Sequence, residues 1–116
     1  MPKATRGEIW EVTFDPAVGA EIRKSRPAVV MTARGIGRLP LSIVVPITEW
    51  QAVFAQCAWF TRLTPSLENG LTKISAADAF QVKSVSEIRL SRRLGRLTDA
   101  ELVEIAAAIA VCVGHR

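Results

Sequence analysis

A carboxylate and three cations stand close together in Glu21-Ile22-Arg23-Lys24-Ser25-Arg26. The next residues, Pro27-Ala28-Val29-Val30-Met31, read as the start of a buried strand, so Arg26 is expected at the mouth of a rigid element that can hold its guanidinium still. A second apolar run, Ser42-Ile43-Val44-Val45-Pro46-Ile47-Thr48, ends on a hydroxyl. A guanidinium can grip phosphate oxygens with two parallel N–H donors, and a threonine hydroxyl can add another. A nearby carboxylate can take a proton or orient the arginine. Delivered together, Glu21, Arg26 and Thr48 are the ingredients of a small site for charged oxygen chemistry. Each also has a plainer reading: Arg26 as a solvated strand-entry residue, Thr48 as a turn cap, and Gly19 as a turn residue with positive φ.

The elements that must position these groups are short. Glu8-Ile9-Trp10-Glu11-Val12-Thr13-Phe14 alternates polar and apolar residues and predicts a strand with one buried face, ended by Asp15-Pro16. Strands are predicted near 28–33 and 41–48, then over Trp59–Leu63. Glu68-Asn69-Gly70 supplies a turn before a strand at Leu71–Ile74, and Phe80–Val85 alternates again. The end of the chain differs in kind. Thr98-Asp99-Ala100-Glu101 is a capping box, Leu97 can staple onto Leu102, and Leu102, Ile105, Ala106, Ile109 and Val113 recur at helical spacing before Gly114. The prediction is a mainly β fold with a C-terminal α-helix, an α+β chain built as a small barrel or strongly curved sheet.

With 116 residues there is room for one domain spanning 1–116 and one core, and 49% hydrophobic content is ample to build it. The net charge of +4 favours polyanionic partners without reaching the density of a basic tail. The surplus is local: residues 1–40 carry seven basic and four acidic side chains, against eight and seven in 41–116. No stretch reads as a secretion signal or a bilayer span, so a cytoplasmic protein is expected. Cys57 and Cys112 lack the close pairing of a metal or redox motif and read as small buried or half-buried thiols. His115, near the end of the sequence, is not expected to act in catalysis.

Arg6-Gly7-Glu8-Ile9-Trp10, Asp15-Pro16, Gly19-Ala20-Glu21-Ile22, Arg26-Pro27-Ala28-Val29-Val30, Val45-Pro46-Ile47-Thr48, Gln81-Val82-Lys83-Ser84-Val85 and Leu94-Gly95-Arg96-Leu97 follow in an order and spacing that resemble the MazF/PemK toxins nearly end to end. What the resemblance implies is an SH3-like barrel, a homodimer, and the toxin half of a toxin–antitoxin pair that cuts single-stranded RNA without metal or other cofactor. A cognate antitoxin would block the RNA groove. The family's catalytic arginine and threonine fall on Arg26 and Thr48.

Cutting RNA without metal can use the substrate's own 2'-hydroxyl as nucleophile, which needs a base, cations for the phosphorane charge and a proton for the leaving oxygen. Glu21 is the expected base, or the partner that orients Arg26. For RNA binding the expected residues are Gly19, Arg23, Trp50 and Gln81: Trp50 as a stacking platform and Gln81 as a reader of base edges. Gln81 also reads as a brace bonded to backbone, and Trp59 and Phe60 as packing a core or a dimer interface. Arg89, Arg92, Arg93 and Arg96 read mostly as surface, with an acidic antitoxin tail as a possible partner. Two features depart from the family: Trp50–Phe60 is unusually apolar, and Phe80 replaces a residue that is often acidic. Two other classes stay open, a CcdB-like gyrase poison, which the ending Val113-Gly114-His115-Arg116 disfavours for want of Trp-Gly-Ile, and a non-catalytic SH3-like binding module.

Overall fold

The computed structural model describes residues 3–115. Seven strands, β1 (Glu8–Thr13), β2 (Ser25–Val30), β3 (Leu41–Glu49), β4 (Phe60–Leu63), β5 (Ser75–Asp78), β6 (Lys83–Ser86) and β7 (Leu90–Arg96), precede one helix, α1 (Asp99–Cys112). All pairings are antiparallel, in the order β4-β5-β3-β2-β1-β7, with β6 also on β3.

The long strand β3 organises the sheet by changing partners along its length. Its first half pairs with β6 from Leu41↔Ser86 to Val44↔Lys83, and its last three residues pair with β5 from Ile47↔Ala77 to Glu49↔Ser75. Pro46 has no N–H to give and falls in the gap between the two. The near-continuous apolar runs of β2 and β3 reflect burial on both faces. One cluster holds Ile9, Val29, Val45, Ile47 and Leu63 under Leu102 and Ile105 of α1; the other holds Val12, Ala28, Val30, Val44, Val85 and Leu90.

The helix begins as its capping box dictates. The Thr98 hydroxyl accepts from Glu101 N–H at 3.2 Å while the Glu101 carboxylate accepts from Thr98 N–H at 2.8 Å. Leu97 and Leu102 share one core cluster, as the staple requires, and Gly114 follows the last turn with φ 74°. Val113, assigned to the apolar face by periodicity, is 71% exposed.

Other expectations are corrected. Residues 71–74 are not a strand: Asn69 is buried, and its Oδ1 accepts from the N–H groups of Ser66 and Leu71, which fastens a loop there instead. Phe80–Val85 is interrupted by a 3-10 turn at Ala79–Gln81, capped by Asp78. Arg92, Arg93 and Arg96 are exposed, as read, but they lie in a strand the sequence reading had not placed, β7, and Arg26 is the second residue of β2 rather than before it.

Candidate active site

The last pair joining β2 to β3 is Ala28↔Pro46. Carrying that register on by two residues sets Arg26 across from Thr48, and the period-2 alternation of strands puts both on one face. The strands no longer pair there, because β3 has turned to β5, and a cleft of about 480 Å³ opens. Arg26 and Thr48 both line it, with Glu11, Arg92, Gln51 and Lys73. Glu11 and Arg92 arrive as cross-strand partners of β1 and β7, and Glu11 is also paired with Pro27. Gly70 and Gly95 shape the wall: a Cβ on Gly70 would stand 2.2 Å from the Leu94 carbonyl oxygen, and one on Gly95 would stand 2.4 Å from that of Glu68.

The loop between β1 and β2 is fastened in relay. Arg23 donates from Nη2 to the Gly19 carbonyl at 2.6 Å, and Arg26 donates from Nε to the Arg23 carbonyl at 2.9 Å. Lys24 between them adopts φ 66°, a left-handed conformation rare for a residue with a Cβ. Glu21 is not among the cleft residues. Its carboxylate accepts from Val18 N–H at 2.7 Å within the exposed loop, so the carboxylates this structure brings to the cleft of Arg26 and Thr48 are those of Glu11 and of Glu49, the latter paired with Lys73 at 3.6 Å.

Gln81 acts as the brace: its Oε1 accepts from Ile22 N–H at 2.6 Å and ties the same loop to the 3-10 turn. Behind it lies Asp78, 8% exposed, accepting from Phe80 N–H at 3.1 Å. Burial pushes the Asp78 carboxyl above the usual aspartate value, and hydrogen bonds from Phe80 and Gln81 offset only part of that. The Cys112 thiol is raised as well, by burial first and then by the Asp78 charge. Sequence reading passed over Asp78 and Glu11 as site residues and took Arg92 mostly as surface. Only the alternation of the first strand hinted that Glu11 and Ile9 share a face.

Trp50 is half-buried; it does not line the cleft, although its chain neighbours Glu49 and Gln51 do. Its ring meets Phe54 edge-on at 5.8 Å, with the Arg62 guanidinium 5.8 Å from its centroid. Phe54 stacks on Phe60 at 3.8 Å, Phe60 neighbours Trp59, and Trp59 neighbours Phe80. Trp59 and Phe60 therefore belong to a half-exposed aromatic file outside both core clusters. Among the described residues no group of three or more His, Cys, Asp or Glu side chains is placed to hold a metal ion.

Residues 5–113 match the family model described as the PemK-like, MazF-like toxin of type II toxin–antitoxin systems. The chain is 38% identical over 111 residues to endoribonuclease MazF9 of Mycobacterium tuberculosis, covering 90% of this chain and 91% of that one. It is 30% identical over 102 residues to endoribonuclease PemK of Escherichia coli, covering 86% and 74%. Among solved structures, MazF from Deinococcus radiodurans superposes with a TM-score of 0.77 at 20% identity over 96% of each chain. A mycobacterial endoribonuclease in complex with its cognate antitoxin gives 0.74 at 17% identity, over 96% of this chain and 95% of that one. The mostly antiparallel sheet with a single C-terminal helix is the fold of these toxins, and the sequence matches go further: the chain belongs to the PemK-like, MazF-like toxin family of type II toxin–antitoxin systems.

Proposed function

We propose that this toxin is an endoribonuclease that cuts single-stranded RNA by attack of the 2'-hydroxyl, and that it does so without a metal ion. The observation that carries the reading is the convergence of Arg26 and Thr48 on one cleft where β2 and β3 part. Its relatives are named endoribonucleases, which supports the reaction class.

In this mechanism the scissile phosphate enters between the two strands. Arg26 keeps its Nε on the Arg23 carbonyl and offers its terminal nitrogens to the phosphate oxygens, stabilising charge that grows in the phosphorane. Thr48 donates its hydroxyl to a non-bridging oxygen. Arg92 adds positive potential along the strand's path, with Lys73, paired with Glu49, beside it. The 2'-oxygen forms a bond to phosphorus as the bond to the 5'-oxygen breaks; a carboxylate takes the 2'-hydroxyl proton, and the 5'-oxygen takes one from solvent water, to which the carboxylate returns its own. Glu21 serves as the base, carried in by its loop, and Glu11 balances the cations of the cleft. The products are a 2',3'-cyclic phosphate and a free 5'-hydroxyl. The working molecule is a homodimer held in check by a cognate antitoxin, a reading supported by antitoxin complexes of structural neighbours.

The test is incubation of purified protein with long single-stranded RNA in excess EDTA, followed by mapping of the new ends. Discrete cuts with cyclic-phosphate and 5'-hydroxyl ends, absent where the scissile nucleotide is 2'-deoxy, are expected. A 5'-phosphate product or dependence on added metal would overturn the mechanism.

A further inference from the structure

A second cleft, of about 700 Å³, opens at the other end of the β2–β3 pair. Its floor includes Thr32, just past β2, and Ser42, near the start of β3, whereas Arg26 and Thr48 sit at the opposite ends of those strands. Six residues of extended chain separate Arg26 from Thr32, about 20 Å at the rise of a strand. Four arginines, Arg6, Arg34, Arg38 and Arg96, line this cleft against one carboxylate, Glu87.

None of the four is in an ion pair, those among the described residues being Lys73–Glu49 and Arg93–Glu8, although Arg96 stands opposite Glu8 in the β1–β7 register and acts on its charge. Glu87 accepts instead from the backbone N–H of Lys3 at 3.3 Å. Two of the arginines are fixed in the wall. Arg6 donates from Nη1 to the Met31 carbonyl at 2.6 Å, and Arg96 from Nη2 to the Arg6 carbonyl at 3.1 Å. Each guanidinium carries five N–H donors, so these bonds orient the groups while leaving most donors for a ligand. The other two arginines flank Gly35-Ile36-Gly37 in the exposed loop that closes the cleft. Both glycines have positive φ, 78° and 81°, and no atom lies within 4 Å of where a Cβ would stand on either. Open backbone between two unpaired guanidinia lets an anion approach closely. Four like charges around one concavity repel one another, and an anion seated among them would relieve that repulsion.

We propose that this cleft binds the phosphate groups of a single-stranded nucleic acid, at a site separate from the one that cuts. Arginine is suited to it because the planar fork matches phosphate geometry. A strand rather than a free nucleotide is favoured because β7 supplies Arg96 to this cleft and Arg92 to the other, so cations of one strand reach both clefts. The choice of a strand rests on the nuclease reading; the phosphate chemistry does not.

The test uses oligodeoxythymidine, which has no 2'-hydroxyl to attack, and compares wild type with R34A/R38A by fluorescence anisotropy across a salt series. Affinity should fall about tenfold or more, and the salt slope should shrink by about one for each arginine removed. R34K/R38K keeps the charge without the fork and should fall between the two, which also guards against a folding defect in the double alanine variant. Cutting of a short RNA by R34A/R38A should stay at the wild-type rate. Equal binding by wild type and R34A/R38A overturns the proposal, as does polyglutamate displacing the oligonucleotide as well as a nucleic-acid competitor of the same charge. A nucleoside triphosphate that needs Arg34 and Arg38 where the oligonucleotide does not would overturn the strand and keep the phosphate. If wild type cuts no RNA at all but oligonucleotide binding still depends on the two arginines, the nuclease reading fails and this one stands.

Discussion

Arg26 holds its own loop through Nε alone, which in the proposed mechanism leaves its terminal nitrogens for the phosphate, and that division makes substitutions at this position informative. Arg26→Ala removes both contacts and should cut turnover by about 10²–10³-fold, the scale of losing one preorganised donor to a developing charge. Arg26→Lys keeps the charge but has neither the Nε anchor on the Arg23 carbonyl nor the fork, so it should recover little of the loss. A lysine variant close to wild type in single-turnover cutting would reduce the role of Arg26 to bulk charge. Thr48→Val keeps the branched shape without the hydroxyl and should lower kcat more than it raises KM. The two carboxylates are separable by the same approach. Glu21→Gln should depress kcat, while Glu11→Gln, which unbalances a cationic cleft, should chiefly change KM. The opposite pattern would transfer the role of base to Glu11, which lines the cleft.

At the scale of elements, the cleft depends on a close approach between β7 and the 68–71 turn. A methyl group on Gly95 would press within 2.5 Å of the Glu68 and Asn69 carbonyl oxygens, backbone atoms that cannot swing aside. Gly95→Ala should therefore destabilise the fold by about 1–3 kcal/mol, as overpacking does, with a lowered urea midpoint. An unchanged midpoint would mean that the turn yields freely. These contacts explain what the residues disclose before folding. The helix was legible because its signals are local: the Thr98–Glu101 box and the Leu97–Leu102 staple lie within one turn of sequence. β1 and β3 were legible from alternation and from β-branched runs. β7 was hidden because Ser91, Arg92 and Arg93 are all exposed, and bulges against β1 spoil the alternation. The pairing of Arg26 with Thr48 could be expected only as a convergence, since register is a long-range property. Glu21 was legible only as a neighbour of Arg26 in sequence; that its carboxylate rests on Val18 N–H outside the cleft is a property of the folded loop.

For the molecule as a whole, two carboxylates tie stability to pH with opposite signs. Burial raises the Asp78 carboxyl, so between the ordinary aspartate value and that raised value the folded chain holds a proton which the unfolded chain has released. Stability through that window falls as pH rises, because the folded state is the one binding more protons. Glu8 behaves in reverse. Burial pushes its carboxyl up, but the N–H donors of Thr5 and Trp10, with Arg93 and Arg96, outweigh that and hold it below the ordinary glutamate value. Its contribution is therefore complete above the ordinary glutamate value and is lost as pH falls through the depressed one. Asp78→Asn retains an acceptor for Phe80 N–H but cannot ionise, so the variant should equal or exceed wild type in stability at neutral pH, with the difference closing in acid. Glu8→Gln should be weaker than wild type at neutral pH, and that deficit too should close in acid. Urea midpoints of the three proteins measured from neutral pH down into the acid range separate these trends. A deficit for Asp78→Asn that grows as pH rises would show the buried carboxylate to be stabilising in its charged form, and with it the link through Gln81 to the β1–β2 loop to be electrostatic rather than simply bracing.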